Sequence, residues 1–269
     1  MAHTFFVRER YLRIHAEHLM LASYLERVYY RLRWTAPLDY HSPCDEGEIG
    51  WDGRGDVIAT AVREAGALFN TTIARLRAHS AVPAAAVVSP QAAIAFFGRP
   101  RIGKTTLVLE LLRRGWQTFG DELFLLEPAT GVAHPFPRAF RVPESAFRML
   151  RDEALMRTSR RDLLVTGDAG SRVWQAIDPA EVFRRNAFSE PRRITHVVLL
   201  DRSVVAQRST IEPISKETAS SEDVPVELLA QHTPIECYRL HLADLQSSAD
   251  LIEGLADRQL QVARAFAAI

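Results

Sequence analysis

Lysine is nearly absent from this chain of 269 residues: of its 33 basic residues 31 are arginines, leaving only Lys104 and Lys216. Cysteine is as scarce. Cys44 and Cys237 are too few for a disulfide framework and fit a reducing, cytoplasmic setting. Each has a histidine nearby, His41 in HSPC and His241 in CYRLH, so a zinc site would need the fold to bring the two pairs together. Net charge is missing too: 33 acidic residues balance 33 basic ones, so no global field draws nucleic acid or an anionic membrane. No stretch approaches the roughly 18 uncharged apolar residues of a membrane span. The first twenty residues scatter charges through MAHTFFVRERYLRIHAEHLM and lack the apolar centre of a signal peptide. There is no internal repeat and no low-complexity tract. These absences leave a cytoplasmic protein with neither nucleic acid nor membrane as partner.

Against that background the position of one lysine stands out. Gly98-Arg99-Pro100-Arg101-Ile102-Gly103-Lys104-Thr105 satisfies the phosphate-loop pattern G-x-x-x-x-G-K-[ST] at every fixed position. A compact ammonium reaches phosphates inside a nest of backbone N–H groups, where the wide planar fork of arginine fits poorly. The flanks agree with the motif. Gln91 to Phe97 reads as a buried strand feeding the loop, with Ala84 to Ser89 as its hairpin partner. Thr105 to Arg114 reads as the following helix, with Leu107, Val108, Leu111 and Leu112 on one face and Gly115 at its end. The loop amides of 98–105, with Thr106 in the first helical turn, would then hold nucleotide phosphates, and Thr105 would place its hydroxyl on Mg²⁺.

A phosphate loop does not say what happens to the nucleotide. Guanine reading by N-K-x-D needs a lysine, and Lys216 stands in Ser215-Lys216-Glu217-Thr218. The L-S-G-G-Q signature of transport ATPases is missing as well. The second informative feature is Asp121-Glu122, 17 residues after Lys104, breaking the strand-like run Trp116 to Leu126 at Gly120. Two carboxylates there can divide the work: one helps to hold Mg²⁺ while the other takes a proton from an acceptor hydroxyl. The plainer reading is a solvated turn between two strand segments. Asp201, ending ITHVVLLD, has the look of the conventional distant acid instead. Upstream, His79 follows a long helix predicted from an Asp56 N-cap to about Ala78, and a histidine at a helix end is commonly a cap or dipole partner.

Along the rest of the chain, Ala22 to Arg33 has helical spacing, and residues 39–55, rich in glycine and acids, read as a loop or hairpin linker. Val132 to Phe136 is the return strand after a turn at Pro128 to Gly131. Glu144 to Arg157 is predicted helical, Ser159 to Ser171 a polar substrate loop, and Ile194 to Asp201 the clearest buried strand. Ser248 to Ile269 closes the chain as an amphipathic helix. The expected fold class is α/β, a phosphate-loop core of mixed, partly antiparallel sheet with flanking helices over 76–269, preceded by a small N-terminal α+β subdomain over 1–75.

Taken together, His79, the loop at 98–105 and Gly120-Asp121-Glu122 resemble the catalytic domain of HPr serine kinase and its relatives, whose core is similar to phosphoenolpyruvate carboxykinase. Leu123 to Arg138 also looks like the hairpin of HPr-kinase-like proteins in bacterial biosynthetic clusters, some of which phosphorylate a lasso-peptide precursor. The resemblance covers residues 75–140 well and the remainder in outline. It implies ATP and Mg²⁺ as cofactors, Lys104 on the β/γ-phosphates, Thr105 and Asp121 at the metal, Asp121 or Glu122 at the acceptor hydroxyl, and His79 beside the transferring phosphate. Three departures stand against it. Glu122 replaces the usual second aspartate, the Glu-Ile-Arg-Gly signature of the true HPr kinases is absent, and the first 75 residues are too short for their N-terminal domain. The expected activity is transfer of the γ-phosphoryl group to a hydroxyl, foremost Ser or Thr of a peptide or small protein. The alternatives are a non-catalytic ATP-binding sensor and a small-molecule hydroxyl kinase. The oligomeric state stays open, a homo-oligomer among the options. Arg99, Arg101, Arg138, Arg141 and the clusters Arg184-Arg185 and Arg192-Arg193 are further candidates for substrate contact, and Asp168 stands in what reads as a Gly-Asp turn.

Overall fold

Alternation of apolar and polar residues at the very start of the chain builds a hairpin. In β1 (Ala2–Val7), His3, Phe5 and Val7 are buried, and β2 (Arg10–Ala16) answers with Tyr11, Leu12, Ile14 and Ala16. The strands pair antiparallel from Ala2↔His15 to Val7↔Arg10, and Arg8 takes a positive φ of 59° in the connecting turn. The computed structural model describes all residues except 34–42, 54–55, 144–145, 147–149, 151–159, 168–169, 184–185, 203–206, 223, 231–233 and 268–269. It divides into two compact units, Met1–Ala81 with Pro137–Val182, and Val82–Phe136 with Phe183–Ile269.

In the first unit β2 also pairs parallel with β3 (Cys44–Ile49), in a stretch whose glycines and acids had suggested a loop. Its inward residues Asp45 and Ile49 are buried, and Arg10 and Arg75 both bond the Asp45 carboxylate, which offsets the cost of burying that charge. Two helices, α1 (Leu19–Val28) and α2 (Val57–Ala74), complete this part. Asp56 caps α2 as its chemistry predicts, accepting from the N–H groups of Ile58 and Ala59. The helix ends at Ala74, short of Ala78. It buries Ile58, Ala61, Ala65, Phe69, Thr72 and Ile73, so alanines share the inner face with the larger apolar side chains. The Phe69 ring stacks on Tyr29 at 4.1 Å. The returning segment supplies β10 (Phe140–Pro143), β11 (Arg160–Gly167) and β12 (Gly170–Ile177) in the order β10-β12-β11. The polar stretch expected to be a substrate loop is therefore a hairpin. The pairing of its two strands runs to Gly167 opposite Gly170. Arg31 ties this segment to the first by a fork of hydrogen bonds onto Asp178, at 2.7–3.1 Å across 147 residues of chain.

β4 (Ser80–Val82) carries the chain across to the second unit. There β5 (Ala85–Val88) and β6 (Ala93–Phe97) form the predicted hairpin, every residue of both strands buried. Their partners are β7 (Gln117–Gly120), β14 (His196–Arg202), β15 (Thr210–Ile214) and β16 (Glu236–Leu242), giving a mixed sheet of order β15-β16-β14-β6-β5-β7. Strands β6, β14 and β16 run parallel, with the antiparallel strands outside them. Central strands β6 and the first five residues of β14 are buried throughout, which is why they read as apolar runs. On one face Ala93, Ala95 and Phe97 join Val197 and Leu199 in a core with Phe119, Phe124 and Leu126. The strand-like run at 116–126 changes sheet halfway: β7 belongs to the large sheet, whereas β8 (Phe124–Glu127) pairs with β9 (Val132–His134), which pairs in turn with β13 (Arg192–Arg193). Helix α3 (Lys104–Arg113) follows β6 and packs beside β5. The long helix Leu245–Ala267 closes the unit against α3, bridged by Arg114. The fold is thus mixed α/β with helices flanking multi-stranded mixed sheets.

Candidate functional site

The loop between β6 and α3 takes its shape from backbone that few residues tolerate. Gly98 has φ 142°, and a Cβ there would lie 2.8 Å from the Leu200 carbonyl oxygen, so only glycine lets the loop leave β6 pressed against β14. Gly103, at φ 123°, is the N-cap of α3, and Arg101 adopts φ 66°, an uncommon conformation for a residue with a side chain. Gly103 offers no capping side chain; its carbonyl accepts the first intrahelical bond, from Leu107. The N–H groups of Lys104, Thr105 and Thr106 precede that bond and have no acceptor inside the helix. No acidic residue of α3 itself occupies its first turn, and the positive end of the helix suits an anion.

Lys104 curls back over this loop. Its Nζ donates to the carbonyls of Gly98 at 2.6 Å and Arg99 at 3.2 Å. Burial lowers the pKa of the ammonium from its ordinary value, while the charges of Glu122 and Asp121 act in the opposite sense. Thr105, one residue on, donates its hydroxyl to Asp121 Oδ2 at 3.1 Å. Asp121 is buried at 1% exposure and directly follows β7, whereas Glu122 is exposed. Two elements sixteen residues apart thus place a hydroxyl and a carboxylate side by side next to the lysine. Hard oxygen donors of this kind suit Mg²⁺.

Asp201, the other acid with a claim on this role, lies elsewhere on the same sheet edge. It is the penultimate residue of β14, one strand from β6, beside His241 of β16 in the register Asp201↔His241. His241 Nδ1 is 3.8 Å from Asp201 Oδ2, and its Nε2 is 3.4 Å from Glu212 Oε1. The hydroxyl of Thr105 bonds Asp121. The grouping of His241 with Glu212 was not legible in the sequence, because it arises from the register of β15 on β16. Also missed was Thr118, whose buried hydroxyl bonds the main chain of Ala86 on β5 and of Gly120 just before Asp121; an isolated threonine in an apolar strand is a weak signal.

The remaining candidates divide between the units. His79 belongs to the first, in the connection from α2 to β4, and the bonds joining Lys104, Thr105 and Asp121 lie wholly in the second. Arg138 and Arg141 also belong to the first unit, Arg138 buried and Arg141 within β10. Arg192 spends its guanidinium on the turn of the β5–β6 hairpin, donating to the carbonyls of Ser89 and Pro90 at 2.6 and 2.9 Å. Arg99 and Arg101 are exposed on the loop. Asp168, Arg184, Arg185 and His41 lie outside the described residues, as does most of the helix predicted over 144–157. Both cysteines are free, and among the described residues no group of three or more His, Cys, Asp or Glu side chains is placed to hold a metal ion. No helix among them is long and apolar enough to cross a membrane.

No family model matches the chain, and neither does any curated protein. Among solved structures, the chain is similar to the HPr(Ser) kinase/phosphatase from Coxiella burnetii. The TM-score is 0.38 at 15% identity, over 70% of this chain and 95% of that one.

Proposed function

We propose that this protein is an ATP- and Mg²⁺-dependent phosphotransferase that moves a γ-phosphoryl group to a hydroxyl, foremost Ser or Thr of a peptide or small protein. The observation that carries the reading is the 3.1 Å bond from Thr105 to Asp121, formed beside Lys104 at the mouth of a phosphate-loop helix. The nest at 98–103 and the first N–H groups of α3 bind and orient the phosphates. Lys104 exchanges its bonds to the loop carbonyls for the terminal phosphate oxygens, where its charge matters most as negative charge redistributes in the transition state. Thr105 and Asp121 would hold the cation, which supplies charge neutralisation to the transferring group. Exposed Glu122, next to Asp121 in the chain, would accept the proton of an incoming hydroxyl. Arg99 and Arg101 present positive charge on the same loop to an acidic stretch of substrate. His79 is assigned to the same chemistry by resemblance alone.

The test is transfer from γ-labelled ATP with Mg²⁺ to the products of neighbouring genes, with Lys104→Ala as control. A labelled acceptor that disappears in the control supports the reading and names the substrate class. ATP binding with no transfer to any acceptor, the protein itself included, overturns it in favour of a non-catalytic nucleotide sensor.

A further inference from the structure

The strand that delivers Asp121 is irregular at one point. β5 and β7 pair with Ala86 opposite Gly120 and Val87 opposite Thr118, so Phe119 has no partner in the ladder and forms a bulge. A bulge bends its strand and re-aims the residues immediately after it, and Asp121 is one of these. Thr118 holds the bulge shut. Its hydroxyl, fully buried, donates to the Ala86 carbonyl at 2.6 Å and accepts the Gly120 N–H at 3.0 Å. The main chain of Thr118 is anchored on its other side, its N–H donating to Ala187 at 2.8 Å and its carbonyl accepting from Ser189 at 3.0 Å. The Phe119 carbonyl accepts the N–H of Phe136 at 2.8 Å, closing the bulge from the far end. Gly120 completes the turn, with space for a hydrogen but no Cβ. Valine would fill the same volume as Thr118 and suit a buried strand better. A hydroxyl at zero exposure, spent on the two main-chain groups that span the bulge, calls for a reason beyond packing.

We infer that Thr118 is a positioning residue for the cation site: its hydroxyl locks the bulge that aims Asp121 at Thr105, and so sets affinity for the divalent cation rather than for the nucleotide. The inference rests on the reading of Thr105 and Asp121 as the cation-holding pair. A merely structural threonine would alter melting temperature and leave the cation requirement where it was. A positioning threonine changes the cation requirement at temperatures where the fold is intact.

The experiment uses the full chain and a fluorescent N-methylanthraniloyl ATP, titrated once in EDTA and once against rising Mg²⁺. Thr118→Val is expected to raise the half-saturating Mg²⁺ concentration about tenfold or more, the usual effect of losing a group that orients a metal ligand. Affinity in EDTA should stay within about twofold, and Thr118→Ser, which keeps the hydroxyl, should restore the wild-type Mg²⁺ requirement. An unchanged Mg²⁺ requirement in Thr118→Val, or an equal loss of affinity in EDTA, overturns the inference. Should Thr118→Val fail to fold, Thr118→Ser and Thr118→Cys decide the matter, since a thiol matches the size of a hydroxyl but hydrogen-bonds weakly. Identical Mg²⁺ requirements in that pair overturn the inference as well. A wild-type chain that binds the analogue without any Mg²⁺ dependence, or not at all, overturns the reading of Thr105 and Asp121 and the positioning role together; that outcome is visible before any variant is made.

Discussion

Adding a single methyl group at Gly120 should cost both stability and cation affinity. Gly120 has φ 155°, and a Cβ built on it would lie 2.3 Å from the Leu123 carbonyl oxygen, where real contacts stay above about 3.0 Å. The obstacle is main chain, so it cannot swing aside like the end of a side chain, and the 121–123 turn must move by about 0.7 Å or more. The Thr105–Asp121 bond is already 3.1 Å, and the same displacement along it exceeds hydrogen-bond range. The disfavoured φ adds roughly 1–3 kcal/mol and the forced shift a similar amount, about 2–6 kcal/mol in all. At roughly 2–4 °C per kcal/mol for a chain of this size, the melting temperature of Gly120→Ala should fall by about 4–24 °C. The half-saturating Mg²⁺ concentration for nucleotide binding should rise about tenfold, read below the melting transition. Differential scanning fluorimetry and a Mg²⁺ titration suffice. A variant with wild-type melting temperature and Mg²⁺ requirement would refute the reasoning, because the turn after β7 would then be slack and could not aim Asp121.

Three further outcomes are expected. Asp121→Asn keeps the volume and removes the charge, so phosphoryl transfer should fall by about 100-fold or more while nucleotide affinity in EDTA holds; near wild-type turnover would remove Asp121 from the chemistry. Arg114→Ala should destabilise the second unit by about 2–4 kcal/mol in urea at pH 7, because fully buried Glu110 keeps only Arg113, and α3 loses its links to Asp250, Glu253 and Gln246. Burial alone would push the Glu110 carboxyl up, but bonds from Arg113 and Arg114 hold its pKa below the ordinary value of 4.5. That contribution is complete above pH 4.5 and lost as pH falls through the lowered folded value, so the Arg114→Ala deficit should shrink in acid. Burial lowers the pKa of His196 despite Glu236 at 3.9 Å, so the unfolded chain takes up the proton first and stability declines as pH drops below 6.5. Melts of wild type and His196→Gln between pH 7 and pH 5 should show a steeper fall in the wild type.

The chemistry of the phosphate loop is a local matter, which is why so much of the site was legible in one dimension. Gly98, Gly103, Lys104 and Thr105 are specified by backbone conformation and spacing, and the Asp56 cap and the 85–97 hairpin by short-range propensity. Elements fixed by long-range pairing were not legible. Cys44–Ile49 has the composition of a loop yet becomes a strand because β2 offers it a parallel partner and Arg10 and Arg75 neutralise Asp45. Residues 160–177 look polar yet form a hairpin, and return to the first unit after the whole of 82–136 has been spent on the second.

By itself, then, the sequence determined that a phosphate loop ends a buried strand and opens a helix, and that two acids come within reach downstream. Only the tertiary structure decided which acid meets Thr105. Asp121 directly follows β7 and Asp201 is the penultimate residue of β14 in the same sheet, and Asp201 had the sequence context of a conventional site. The choice fell to a bulge of one residue at Phe119 and a turn too tight for a Cβ at Gly120, which carry Asp121 to the threonine hydroxyl. Displacements of that size come from packing and register, and composition and periodicity do not encode them residue by residue.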